Sequence, residues 1–138
     1  MLRIIGGIVA GLVTAVAVMM LIEMAGHAAF PLPEDLGLRN PEAVADSLPS
    51  MPVAAKLIVV FAWFASALAG GYVAKRICGR WSAAWVIAVL VAVAGIVNIM
   101  MIPHPVWMQI AAIVAPLVGG LVAGHLIPSR KEPADARP

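Results

Sequence analysis

The sequence predicts an all-α integral membrane protein, folded as one bundle of four spanning helices. Of its 138 residues, 63% are hydrophobic and only 12% are charged, whereas soluble domains carry about 25% charged residues. The apolar residues fall into four long segments separated by links rich in proline or basic residues. At about 1.5 Å per residue, each segment is long enough to cross the roughly 30 Å apolar core of a bilayer. This pattern predicts one transmembrane domain over residues 1–127 and a polar tail over 128–138.

The predicted spans cover residues 2–24, 53–74, 81–102 and 106–127. The first span has a rival interpretation as a cleaved signal peptide, because Arg3 is basic and small residues follow the apolar stretch. Its apolar stretch is longer than the roughly 7 to 15 residues of such a peptide, and Glu23 precedes the candidate cleavage site. We therefore expect the first segment to be a permanent helix.

The long link between the first two spans, residues 28–52, holds five of the eleven prolines and is predicted to lie outside the membrane. Within it, Asn40 is a favourable N-cap residue, Pro41 suits the first helical position, and Glu42 places an acid in the first turn. A short helix is therefore predicted from Pro41 to about Leu48. Val44 and Leu48 would face the mouth of the bundle.

A tight reversal is predicted between the third and fourth spans. Pro103 and Pro105 disfavour helical geometry at the residues that precede them, Ile102 and His104. The short connection makes the two spans antiparallel neighbours and places His104 at the apex of the turn.

The distribution of basic residues predicts that both termini face the cytoplasm. With the N-terminus inside, seven basic residues lie on the inner side against two, Arg39 and Lys56, on the outer side. This asymmetry follows the positive-inside rule. Cys78, which lies between Arg76 and Arg80, would then be cytoplasmic.

Small residues recur four positions apart in the predicted spans. They are Gly7, Gly11 and Ala15; Ser66 and Gly70; Ala67 and Gly71; Ala88 and Ala92; and Gly120 and Gly124. Such spacing favours close helix packing, either inside the bundle or between copies of the chain. Residues 68–74 also match residues 117–123 at five of seven positions. This match indicates either duplicated helical hairpins related as parallel repeats or a chance similarity between apolar segments.

Several function classes find little support in the sequence. Basic residues form no stripe interleaved with aromatics, so nucleic-acid binding is excluded. The single cysteine, Cys78, permits no internal disulfide and no paired-cysteine metal site. No phosphate-binding glycine loop and no serine with a histidine partner at comparable depth are present, so an enzyme is not expected.

One polar cluster is predicted at the outer surface. Glu23 and His27 lie one helical turn apart on the same face, and His104 is at the same depth. Imidazole and carboxylate groups are ligands for transition metals and relays for protons, so these three residues are candidate metal ligands, with Asn98 and Gln109 supporting them. The alternative is structural: Glu23 would pair with His27 or Lys56, and His104 would cap the fourth helix.

Several of these segments resemble a set of small bacterial four-span membrane proteins. The matching parts are residues 23–27, the proline-rich link, Ala62-Trp63 with Gly70-Gly71, and the turn from Asn98 to Trp107, of which Ile102-Pro103-His104-Pro105 is the most specific. The resemblance extends to about Ile127. It implies a protein of the bacterial inner membrane and carries no activity.

Two functions follow as expectations. The first is a non-enzymatic inner-membrane protein that acts in the lipid bilayer by helix packing, either as a homo-oligomer or with a partner in a membrane complex. The second is a small transporter, channel or sensor for protons or a transition metal, which would use the polar cluster of Glu23, His27 and His104. No cofactor is expected apart from that candidate metal.

Overall fold

The structure is a computed structural model that describes residues 1–31, 46–126 and 128. The described residues include four long helices: α1 (Leu2–Ala29), α2 (Val53–Cys78), α3 (Trp81–Met101) and α4 (Val106–Leu126). All four are long and apolar enough to cross a membrane, which indicates a multi-pass membrane protein. The prediction of an all-α fold with four helices of membrane-spanning length and composition is therefore confirmed.

Two helices continue beyond their predicted ends. α1 runs to Ala29 instead of Met24, because no helix-breaking residue intervenes before Pro31; Phe30, directly before that proline, leaves the helical region with φ −132° and ψ 74°. α2 runs to Cys78 instead of Ala74 and ends at Gly79, which adopts the left-handed conformation with φ 74°. The Gly79 amide donates to the Lys75 carbonyl at 2.7 Å, so glycine closes the helix.

The turn between α3 and α4 forms as predicted. Ile102 is extended, with φ −130° and ψ 119°, and α3 ends at Met101 rather than at Ile102 itself. The helical geometry resumes at Val106, directly after Pro105. Because only four residues separate the two helices, they run antiparallel.

The predicted helix from Pro41 to Leu48 lies mostly outside the described residues, as do Val44 and all but Pro128 of the predicted tail. Asp46 and Ser47 are helical. Leu48 is buried, with 7% of its surface exposed, as the predicted inward orientation requires.

α2 is the central helix and packs against each of the other three. α1 packs mainly on α2 and only slightly on α3, whereas α4 packs on both α2 and α3. Arg3 of α1 donates to the carbonyl of Ile77 near the end of α2, and Gly26 lies against Ile58 near its start, so these two helices are antiparallel. We call the end with Arg3, Lys75, Arg76 and Arg80 the basic end, and the opposite end the cavity end.

Small residues form the helix contacts inside the chain. A Cβ atom on Gly11 would lie 2.6 Å from the Gly70 carbonyl oxygen, and one on Gly70 would lie 2.5 Å from the Gly11 carbonyl oxygen. These two glycines therefore allow the backbones of α1 and α2 to touch. All eleven small residues in the predicted stripes are buried. The stripes are therefore used between helices of one chain.

The two similar segments of α2 and α4 lie in contact. A Cβ atom on Gly71 would be 3.1 Å from that of Ala123, and one on Gly119 would be 3.1 Å from the Leu68 amide nitrogen. Their similarity therefore serves one shared interface. Duplication of a hairpin stays a prediction.

Pro116 lies buried inside α4, a feature that the sequence analysis did not use. A proline has no amide hydrogen, so the carbonyl of Ala112, four residues earlier, loses its usual helical partner. That carbonyl faces Gly95 of α3, where an added Cβ atom would lie only 3.0 Å from the oxygen. Glycine at position 95 therefore accommodates the carbonyl that Pro116 leaves free.

Candidate functional site

A cavity of about 640 Å³ lies at the cavity end of the bundle. The last turns of α1, the first turn of α2, the segment 46–52 and the α3–α4 turn surround it. Its polar lining residues are Glu23, His27, Ser47, Ser50, Lys56, Asn98 and His104. Its apolar lining includes Phe30, Leu48, Ile58, Val59, Ile102 and Met108. The volume falls within the range of about 300 to 1,000 Å³ that is usual for small-molecule sites.

Glu23 and His27 form one wall, from the last two turns of α1. Glu23 is partly buried and His27 is exposed. The Nδ1 atom of His27 lies 2.8 Å from the Glu23 carbonyl oxygen, one helical turn earlier. The predicted shared face of these residues is therefore present.

His104 lines the cavity from the α3–α4 turn, and the turn itself holds the residue in place. Its Nδ1 atom lies 2.6 Å from the Ile102 carbonyl oxygen, and its ring centroid is 6.3 Å from that of Trp63. Gln109 donates from Nε2 to the His104 carbonyl at 2.8 Å. Gln109 thus supports the turn from α4, and Asn98 lines the cavity from α3.

The structure brings Glu23, His27, Asn98 and His104 to one cavity, and Gln109 contacts the backbone of that wall. Among residues 1–31, 46–126 and 128, no three His, Cys, Asp or Glu side chains are grouped as a metal site requires. Binding of a transition metal by Glu23, His27 and His104 stays a prediction.

Lys56 was not predicted as a site residue from the sequence, where it counts among the outer charges and as a possible partner of Glu23. In the structure only 9% of Lys56 is exposed, and it lines the cavity from the first turn of α2. The Lys56 backbone amide donates to the Pro52 carbonyl at 3.4 Å, whereas its side chain has no hydrogen bond or ion pair with the described residues. A cation four residues after Pro52, where α2 begins, was the available signal, because a helix N-terminus disfavours positive charge.

The cavity is closed towards the middle of the bundle. Trp63, Met108 and Ala112 form a buried cluster there, against which Met19 and Ile99 pack. Met108, which is 1% exposed, belongs to both the cavity lining and this cluster. The cavity therefore has a solid apolar floor.

The basic end contains a second buried lysine. Lys75 is 2% exposed, and its Nζ atom donates to the carbonyl of Gly124 in the last turn of α4. Trp81 covers the same glycine and packs edge-on against His125, with ring centroids 6.2 Å apart. His125 was not assigned a role from the sequence, and the structure places it in this aromatic contact.

Comparison with family models, with curated proteins and with solved structures finds no match for this chain.

Proposed function

We propose that this chain is a small, non-enzymatic, multi-pass membrane protein that binds a ligand in the cavity between Glu23, Lys56 and His104. The observation that carries this proposal is the cavity itself, about 640 Å³ in volume, with charged and polar groups on otherwise apolar walls. Sites for small molecules combine these features: apolar surface supplies the driving force, and a few polar groups orient the ligand.

Two further observations favour ligand binding over the other expected functions. The small-residue stripes, which would support association with another copy, are buried within the chain. The apolar floor of Trp63, Met108 and Ala112 closes the cavity on the inner side, which favours a binding or sensing role over conduction.

Filling the cavity tests the proposal. Ala55 lines the cavity, whereas its neighbour Ala54 is exposed and does not. We expect Ala55→Phe to abolish binding of small amphiphiles, because the ring occupies their volume, and Ala54→Phe to leave binding intact. Native mass spectrometry of the protein released from phosphatidylcholine nanodiscs would count bound monoacyl lipids, both neutral and phosphate-bearing.

Equal numbers of bound lipids in the wild type, Ala55→Phe and Ala54→Phe would contradict the proposal, because binding would then occur outside the cavity. Absence of any bound probe in the wild type would contradict it as well. The thermal unfolding temperature of each variant serves as the control for folding.

The proposal includes an orientation in the bacterial inner membrane. The basic end, with Arg3, Lys75, Arg76 and Arg80, lies in the cytoplasm, so the cavity opens outward. Because Cys78 is partly covered and its thiol lies 3.5 Å from the Ile4 carbonyl, it is a poor labelling site. In a Cys78→Ala background, a membrane-impermeant thiol reagent should label Asp46→Cys but not Arg80→Cys in intact spheroplasts. The reverse pattern would invert the orientation.

A further inference from the structure

Three exposed arginines meet at the basic end, each from a different part of the fold. Arg3 lies in the first turn of α1, Arg76 in the last turn of α2, and Arg80 directly before α3. The Nε atom of Arg3 donates to the carbonyl of Ile77 at 2.8 Å, across 74 residues of sequence. The antiparallel packing of α1 on α2 therefore brings Arg3 next to the turn of α2 that carries Arg76.

The described residues provide no acidic partner for these arginines. The side chains of Arg76 and Arg80 make no hydrogen bond or ion pair with the described residues, and Arg3 contacts a neutral carbonyl. Glu23 and Asp46, the acids within the ranges 1–31 and 46–126, both lie at the cavity end. Among the described residues, the basic end is therefore a surface of one charge, which is complementary to an anion.

Two aromatic residues place this surface at the level of lipid headgroups. Tyr72 lies one turn before Arg76, Trp81 directly follows Arg80, and both aromatic side chains are exposed. Indole and phenol groups are enriched where the apolar core of a membrane meets the headgroups. The anions at this level are lipid phosphates, and the planar guanidinium group of arginine matches the geometry of phosphate oxygens. The position and the residue type therefore both favour a lipid headgroup.

α2 offers an apolar face that begins beside Arg76. Tyr72, Phe61 and Leu57 are exposed, and their helical spacing places them on the same side of α2 as Arg76. From Tyr72 to Phe61 the helix rises roughly 16 Å, about half of the roughly 30 Å apolar core of a bilayer. This face therefore has the length of one lipid leaflet, with a cation at its outer edge.

We infer that the basic end binds an anionic phospholipid of the surrounding bilayer. Arg3, Arg76 and Arg80 contact the headgroup phosphate, and an acyl chain lies along the exposed face of α2. This site is separate from the cavity and goes beyond the proposed function. Each basic residue near an anionic membrane surface strengthens binding about fivefold, so three arginines together distinguish an anionic lipid from a zwitterionic one.

The experiment compares phosphatidylglycerol with phosphatidylcholine of the same acyl chains, mixed equally in nanodiscs. Native mass spectrometry of the released protein counts the lipids that stay bound. The wild type should retain phosphatidylglycerol about tenfold or more over phosphatidylcholine, whose choline group brings a cation among the arginines. Arg76→Gln with Arg80→Gln, which breaks no side-chain hydrogen bond to the described residues, should remove most of this preference. Adding Arg3→Gln should remove the rest.

Two variants at the cavity end are the matched controls. Lys56→Met removes a cation from the other end of α2, and Ala55→Phe fills the cavity. Both should keep the preference for phosphatidylglycerol. A neutral monoacyl lipid carries no charge for the basic end, so its binding reports the cavity alone. Failure of this inference and failure of the proposed function are therefore distinguishable.

Equal retention of both phospholipids by the wild type would overturn the inference, as would a preference that persists after all three arginines are replaced. Loss of the preference in Lys56→Met or Ala55→Phe, with the preference intact in the arginine variants, would place the anionic lipid in the cavity and overturn the inference as well. The thermal unfolding temperature of each variant is the control for folding. If Arg3→Gln weakens the contact between α1 and α2, the double variant of Arg76 and Arg80 decides the outcome.

Discussion

α2 carries a buried lysine at each end, and the two lie in opposite environments. Lys75, at the basic end, donates to the carbonyl of Gly124 in the last turn of α4. Helix C-termini attract cations, so the helix dipole and the hydrogen bond both favour the charged form of a lysine side chain at this position. Lys56, at the cavity end, lies at a helix N-terminus, and its side chain has no hydrogen bond or ion pair with the described residues. We therefore propose that Lys75 stabilises the bundle, whereas Lys56 belongs to the ligand site.

The largest expected effect is loss of stability in Lys75→Met. The substitution keeps the apolar length of the side chain but removes its charged donor. The carbonyl of Gly124 then loses this hydrogen bond in a buried position. A hydrogen bond to a charged group contributes about 1.5 to 3 kcal/mol. We expect the free energy of unfolding in mixed micelles to fall by this amount. Lys56→Met, measured without ligand, is the matched comparison and should leave it unchanged or raise it, because a cation at a helix N-terminus is unfavourable. Equal losses in the two variants would contradict the distinction between the lysines.

The next largest effect on stability comes from the packing of α1 against α2, which differs between the two ends of the bundle. Near the basic end, a Cβ atom on Gly11 would lie 2.6 Å from the Gly70 carbonyl oxygen, which is backbone and cannot move aside. At the cavity end, a Cβ atom on Gly26 would lie 2.9 Å from Cγ2 of Ile58, a side-chain atom that can rotate away. Gly11→Ala should therefore destabilise the protein by about 1 to 3 kcal/mol, and Gly26→Ala by clearly less.

Gly6 supplies the control for this pair, since nothing lies within 4 Å of an added Cβ atom there. Gly6→Ala should be neutral or slightly stabilising, because alanine favours the helix more than glycine does. Unfolding followed by circular dichroism would rank the three variants. A ranking in which Gly26→Ala is the most damaging would mean that α1 is held mainly at the cavity end.

A smaller effect concerns the wall of the cavity. Gln109→Ala removes the hydrogen bond from Nε2 of Gln109 to the His104 carbonyl. The unfolding free energy should fall by about 0.5 to 1.5 kcal/mol, the usual net contribution of a neutral hydrogen bond. Gln109→Glu, which lacks the amide donor but keeps the shape, should behave similarly. No loss in either variant would show that the two prolines alone hold the turn.

The sequence predicted the fold well because hydrophobic length and proline position act locally. Pro103 and Pro105 set the turn, and the long apolar segments set the spans, without reference to any tertiary contact. The ends of α1 and α2 were predicted too early, since polar residues near a membrane surface were taken as helix boundaries. Pro31 and Gly79 are the residues that end these helices.

The candidate site was predicted only in part. Glu23, His27, Asn98 and His104 were placed at one level by helix rise, and the structure assigns them to one cavity. Lys56 was missed as a site residue, because neither its burial nor its lack of a partner can be read from a position in a chain. Both properties depend on how α1 and the segment 46–52 close around the start of α2.

The most direct test measures binding of monoacyl glycerol to the wild type, Lys56→Met and Lys75→Met, together with the stability of each ligand-free protein. We expect Lys56→Met to weaken binding about tenfold or more without lowering the free energy of unfolding. For Lys75→Met we expect the reverse: lower stability, with binding retained by the folded protein. Lys75→Arg keeps a charged donor at this position. It therefore provides a folded variant in which binding is measured with position 75 changed. Undiminished binding in Lys56→Met, with a loss of stability equal to that of Lys75→Met, would contradict the assignment of Lys56 to ligand binding.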